Sequence, residues 1–239
     1  MGVTEKYPQG YTPHIGETRQ YWRDIILGVN DGLVSVFLLV VGVTSGGLDR
    51  TQVLLTATAG AIAGSVSMAA GEYLATKSQD EVLSAELDLE RSHIEYFRDL
   101  ELEQLGGFFS DMGVRPDDLG GVLAAFETND QALLNAMAAL EFGVVDSERR
   151  SPYRAMAVSG LLFLAGSLPS VVPFILASEA TTALAWATIL SVAGLFLVGV
   201  VKAKVARTFW LRSGLENLVV AGIGGALAWL IGRAFGSTV

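Results

Sequence analysis

The stretch "DIILGVNDGLVSVFLLVVGV", residues 24–43, reads as a membrane-crossing helix with one carboxylate, Asp31, about two turns inside it. An ionised carboxylate within hydrocarbon costs at least about 2.5 kcal/mol. Something must stabilise it. The second apolar stretch ends in "GSVSMAAGEYLATKSQDE", where Met68 and Glu72 stand four apart and share a helix face. If the first helix starts near Asp24, the seven residues to Asp31 rise about 10 Å. An antiparallel second helix then brings Met68 and Glu72 to a similar depth. Two carboxylates with a thioether between them make an ion site of mixed hardness, suited to a divalent transition metal. The plainer account pairs Asp31 with Arg23, leaves Glu72 among headgroups and makes Met68 a gap filler. It serves for Met68 alone, but paired acids inside a membrane are rarely only structural.

A second set of ligand-type residues follows. On a continuous helix Glu90, His93, Phe97, Glu101 and Gln104 recur at intervals of three or four and form one stripe, and Met137 and Glu141 are four apart on a later helix. Carboxylates, one imidazole and a thioether suit Fe²⁺, Mn²⁺ or Zn²⁺ better than Ca²⁺, whose sites are all oxygen. The alternative is a solvated acidic face with His93 at the surface. The chain has no cysteine, so any metal must use oxygen, imidazole or thioether, and no disulfide framework exists. Neither a catalytic dyad nor a Gly-rich phosphate loop is present, and the sequence is not that of an enzyme. No prosthetic group is expected.

These residues need elements to hold them. Of 239 residues 51% are hydrophobic, and the mean hydropathy of +0.46 exceeds that of ordinary soluble folds. Crossing a bilayer takes about 20 mainly apolar residues. Charge-free runs of roughly that length cover 51–71, 155–178, 180–201 and, somewhat shorter, 217–232. The Asp31 stretch is a fifth. The polar, Pro-containing leader argues against a removable signal peptide. Lys6, Arg19 and Arg23 precede the first span, Lys77 follows the second, Arg149, Arg150 and Arg154 precede the third, and Lys202, Lys204, Arg207 and Arg212 lie between the fourth and fifth. Only Arg50 and Arg233 fall on the other side. The asymmetry places the N-terminus in the cytoplasm and the C-terminus outside.

Between the second and third spans lies a segment too long for a turn. From Ser78 to Glu148 it holds seventeen acidic residues and three basic ones, a local charge of −14 in a chain of net charge −9. Such acidity concentrates cations and suits neither anionic lipid nor nucleic acid. "DEVLSAELDLERSHIEYFRDLELEQL" predicts a helix continuing from the second span, broken by "GGFFSDMGVRP". "DDLGGVLAAFETND" predicts a second helix, and "DQALLNAMAALEFGV" a third, capped by Asn129 or Asp130 and stopped at Gly143. The expected architecture is all-α: a polytopic membrane protein with five transmembrane helices and a cytoplasmic three-helix domain between the second and third spans. Residues 1–76 hold the N-terminus and helices 1–2, 77–150 the acidic metal-binding domain, and 151–239 helices 3–5. Gly60 and Gly64, with Gly28, Gly32, Ser65 and Gly71, allow close helix approach. Pro169 and Pro173 in "GSLPSVVPF" suggest a kink beside an exit route or one that serves packing.

The motifs "RDIILGVNDGLVS" and "SMAAGEYLATKSQDE", with "GSLPSVVPF" and "SGLENLVVAGIGGALAWLIG", resemble the vacuolar iron transporter family over nearly the whole chain. The resemblance implies a five-helix protomer in a homodimer, an ion path at the two-fold interface, and proton-coupled export of Fe²⁺ or Mn²⁺ from the cytosol. The membrane would be vacuolar in a eukaryote and the cell membrane in a prokaryote. It implies that Asp31 and Met68 are the transport-site acid and thioether, with Glu72 in the same motif, and that Glu90, Glu101, Met137 and Glu141 are domain ligands. Three positions depart from the family pattern: His93 and Gln104 stand where a Glu-x-x-Glu would end, and Ala138 follows Met137 where a glutamate is expected. Fewer or looser metal ions should follow. The competing readings are a membrane-anchored iron-binding, buffering or sensing module without transport, and a structural membrane protein docking a basic partner.

Overall fold

The computed structural model describes residues 19–143 and 150–236; Lys6 and Arg149 lie outside them. Among the described residues the secondary structure is entirely helical: α1 (Arg19–Ser45), α2 (Arg50–Tyr96), α3 (Arg98–Asp111), α4 (Pro116–Leu123), α5 (Asp130–Leu140), α6 (Pro152–Leu176), α7 (Ala180–Ala206) and α8 (Trp210–Gly236). Five of these, α1, α2, α6, α7 and α8, are long and apolar enough to cross a bilayer. The chain divides into a membrane unit, Met1–Glu72 with Met156–Val239, and an acidic unit, Tyr73–Ala155.

In the membrane unit α1, α7 and α8 pack on one another. Lipid supplies no hydrophobic drive for this, so close backbone approach has to supply dispersion contact instead. The sequence is built for it. On α7 the buried positions are Ala183, Ala187, Ser191, Leu195, Gly199 and Ala203, one every fourth residue and mostly small. On α8 they are Ser213, Gly214, Ala221 and Gly232. A second seam joins α1, α2, α6 and α7 through Val36, Val40, Val53, Ala57, Ala61, Phe163, Phe174 and Ala183. The large side chains of α8, among them Val219, Ile223, Leu227 and Ile231, are exposed, as an apolar solvent permits.

Helix α1 begins at Arg19, earlier than the Asp24 expected, so Asp31 lies some 18 Å along it at 1.5 Å per residue. Helix α6 runs unbroken through Pro169 and Pro173. Phe174 O in its last turn and Ala177 O just past its end accept hydrogen bonds from Arg50 Nη1 at 2.9 and 3.1 Å. Helix α2 has 47 residues, about 70 Å, more than twice the hydrocarbon thickness. Its charge-free run 51–71 is the spanning part; from Tyr73 onward the helix belongs to the acidic unit.

The acidic unit departs from expectation at two points. The long helix breaks at Phe97, whose φ of −135° and ψ of 33° end α2 and start α3. It does not break at Gly106 and Gly107, which lie inside α3; the stop comes at Gly113, with φ +94°. Leu105 and Leu102 pack into the core on that stretch of α3, and this burial outweighs the roughly 1 kcal/mol helix penalty of each glycine. Asn129 caps α5, its side-chain oxygen accepting from Ala132 N at 3.0 Å, and Gly143 is left-handed with φ +66°. The core is Leu87, Ile94, Leu105, Leu133, Leu134 and Met137.

Candidate metal sites

In the membrane unit Asp31 and Met68 line one cavity of about 420 Å³, together with Ser35, Val36, Leu39, Gly60, Gly64, Ser67 and Phe163. Asp31 sits on α1 and accepts a hydrogen bond from Ser35 Oγ, one turn on, at 2.7 Å. Met68 comes from α2. Gly60 and Gly64 let Leu39 and Phe163 close in on α2 at the cavity wall: a Cβ at Gly60 would meet Leu39, and one at Gly64 the Phe163 ring. Its polar lining is one carboxylate, two hydroxyls and a thioether, a donor set able to replace part of the water shell of a first-row divalent ion.

Glu72 is not on that cavity's wall. It lies one turn further along α2, with Arg23 Nη2 3.9 Å from Oε1. The same guanidinium holds Asp24 Oδ1 at 3.1 Å, and Asp24 is 3% exposed. Arg23 therefore engages Asp24 and Glu72, and Asp31 takes Ser35. Sequence reasoning passed over three of these residues. Ser35 at i+4 from Asp31 was findable by spacing, and Asp24 at i−7 shares Asp31's face. Ser67 carried no signal beyond its place beside Met68.

In the acidic unit the break at Phe97 assembles a cluster. Glu90 and His93 are a turn apart on α2, and the change of direction brings Glu101, from the first turn of α3, against them. His93 Nδ1 lies 3.9 Å from Glu90 Oε2 and 3.4 Å from Glu101 Oε1. One ligand atom from each of the three falls within 4.8 Å of the others. Glu90 and Glu101 are buried, and Glu90 Oε1 and Glu101 Oε2 have no hydrogen-bond partner. Burial, then the charges of Glu101 and Glu141 and a hydrogen bond with Glu101, push the Glu90 carboxyl up to about 7. Buried acids with orphaned oxygens are high in energy unless a proton or a cation joins them. An ion about 2.1 Å from each donor needs donors roughly 3 to 4.2 Å apart, which these distances match.

The remaining expected ligands are placed less centrally. Glu141 is exposed at the end of α5, close enough for its charge to act on Glu90. Met137 is fully buried among leucines and Ile94. Gln104 is exposed on α3 and Ala138 is partly buried against the core.

A helical bundle with five spanning segments and ligand-type side chains within it is a multi-pass integral membrane protein, and vacuolar iron transporters are among its relatives. Residues 22–233 match the model of the VIT family. The chain is 29% identical over 212 residues to vacuolar iron transporter 2 of Oryza sativa subsp. japonica, covering 89% of this chain and 86% of that one. It is 26% identical to vacuolar iron transporter 1 of Arabidopsis thaliana, covering 88% and 84%. With protein CCC1 of Saccharomyces cerevisiae it shares 27% over 227 residues, covering 89% of this chain and 68% of the relative. The chain belongs to the VIT family. Its relatives are transporters, and it is not an enzyme.

Proposed function

We propose that this protein moves a divalent transition-metal ion, Fe²⁺ or Mn²⁺, out of the cytosol through the membrane unit, with protons exchanging in the opposite direction. The observation that carries this is the shared cavity of Asp31 and Met68 between spanning helices. An acid that is costly to ionise in lipid becomes stable when a cation sits on it, and both a metal ion and a proton serve. Occupied by metal from the cytosol, Asp31 is neutralised; a proton arriving from the acidic side takes the carboxylate and releases the ion. Met68 favours a transition metal over Mg²⁺ or Ca²⁺, because thioether sulfur is a soft donor. Glu72, on the cytosolic side of this cavity, is the earlier ligand on the route.

The acidic unit lies in the cytosol on this reading, and gathers the ion through Glu90, His93 and Glu101, with Glu141 and Met137 completing the set. Its −14 charge between Ser78 and Glu148 raises local cation concentration. The Lys and Arg distribution supports a cytosolic N-terminus and an external C-terminus. The relatives' names support iron and a vacuolar-type membrane, and the family resemblance is what suggests association of two copies.

The deciding experiment is Mn²⁺ or Fe²⁺ uptake into proteoliposomes under a pH gradient. Asp31→Ala should abolish flux while the protein elutes as the wild type does on gel filtration; undiminished flux refutes the assignment. The buried triad also favours a second reading, a membrane-anchored metal buffer without transport. That reading requires Asp31 to be dispensable for every metal-dependent property while Glu90 and Glu101 are not.

A further inference from the structure

Two acids flank the route at the same end of the membrane unit. Asp24 precedes Asp31 by seven residues on α1, and Glu72 follows Met68 by four on α2, so each lies about 6 to 10 Å from the cavity ligands along its helix. Both are engaged by Arg23. The Asp24 carboxylate, 3% exposed, receives Nε at 3.2 Å and Nη2 at 3.1 Å, and Glu72, 18% exposed, lies 3.9 Å from that same Nη2. The Arg23 side chain itself is 62% exposed. A guanidinium held tightly by a buried acid, loosely by a second acid on another helix, and otherwise open to water can leave the second without losing the first.

Resting on the transport reading above, we infer that Arg23 is a tethered cation occupying the cytosolic mouth in place of the metal, and that Glu72 becomes available to an entering ion only when Arg23 lets it go. The charges favour the exchange. Two carboxylates and one guanidinium sum to −1, which attracts a divalent ion; once the ion takes Glu72, the guanidinium stays with Asp24 and turns its exposed end to water. The contact spanning α1 and α2 is the weak one, at 3.9 Å, so it is the one that yields. Arg23 is thus a positioning and specificity residue: a monovalent ion cannot replace its charge with any surplus, whereas a divalent ion can.

The test measures Mn²⁺ binding to full-length protein in detergent by the electron paramagnetic resonance signal of free Mn²⁺. The background carries Glu90→Gln and Glu101→Gln, so that the acidic-unit triad does not contribute. Arg23→Gln should tighten binding by about tenfold, the effect of removing one like charge across a partly solvated gap. Arg23→Lys, which keeps the charge and loses the fork, should tighten it less, and decides the matter alone if Arg23→Gln does not fold. A gain in affinity cannot arise from mere structural damage. Unchanged or weaker binding in both variants overturns the inference. Flux into proteoliposomes separates it from the transport reading. Tighter binding with no wild-type flux keeps the tethered cation and removes transport, and unchanged binding beside intact flux does the reverse.

Discussion

With Glu90, His93 and Glu101 as the proposed metal ligands, binding should depend on pH in a range where ordinary carboxylates would not. Glu90 is pushed up to about 7 by burial first, and then by Glu101 and Glu141. A ligand must shed its proton before it coordinates, so at pH 6 only about one molecule in eleven is ready at Glu90, and at pH 5 about one in a hundred. Affinity should therefore fall by about tenfold and then about a hundredfold below its high-pH limit. A carboxyl at its usual 4.5 would leave binding nearly flat from pH 6 to 8. The assay is calorimetric titration of Mn²⁺ into the full-length protein in detergent from pH 5.5 to 8.5, with His93→Ala in parallel to leave the carboxylates alone in the cluster. That variant should bind more weakly and bend at the same pH. A flat profile between pH 6 and 8 in His93→Ala refutes the reasoning. The metal-free fold responds in the opposite sense. Glu90 holds its proton more tightly when folded, so the stability it contributes is complete below pH 4.5 and is lost as pH rises through 7, by at most about 3 kcal/mol. Mn²⁺ added at pH 8 should restore it.

Three further outcomes test the packing that positions the sites. Gly32→Ala would drive a methyl group into the Phe163 carbonyl and should destabilise the membrane unit by about 3 kcal/mol, whereas Gly71→Ala meets nothing; melting in detergent reads both. Met137→Ala should cost about 2 to 5 kcal/mol of acidic-unit stability and Met137→Leu under about 1.5, because the side chain is fully buried. A drop in Mn²⁺ affinity in Met137→Leu, with stability kept, marks the thioether as a ligand. Asn129→Ala should cost about 1 kcal/mol through loss of the α5 cap, seen as reduced denaturation temperature.

Spans were legible in the sequence because the bilayer imposes a length and forbids charge, so the runs at 51–71 and 180–201 lie inside α2 and α7. Asn129 and Gly143 were legible because capping and left-handed backbone select residue types. The break at Phe97 was not, since neither Gly nor Pro marks it; packing of α3 against the core sets it. That break turns a stripe into a cluster, which spacing along one helix could not reveal. Arg23 was equally opaque. Pairing it with Asp31 is sensible by charge, but Asp24 is adjacent and Glu72 is within reach, and the nearer acids take the guanidinium.

Phe163 touches two glycines in different ways. Its carbonyl presses on Gly32, next to Asp31, with no room for a methyl group, while its ring fills the notch left by Gly64. On the α2 side Ser65 Oγ adds a buried hydrogen bond to Gly160 O at 2.8 Å. The chamber around Asp31 is thus walled by contacts that one added methyl group at Gly32 or Gly64 would displace.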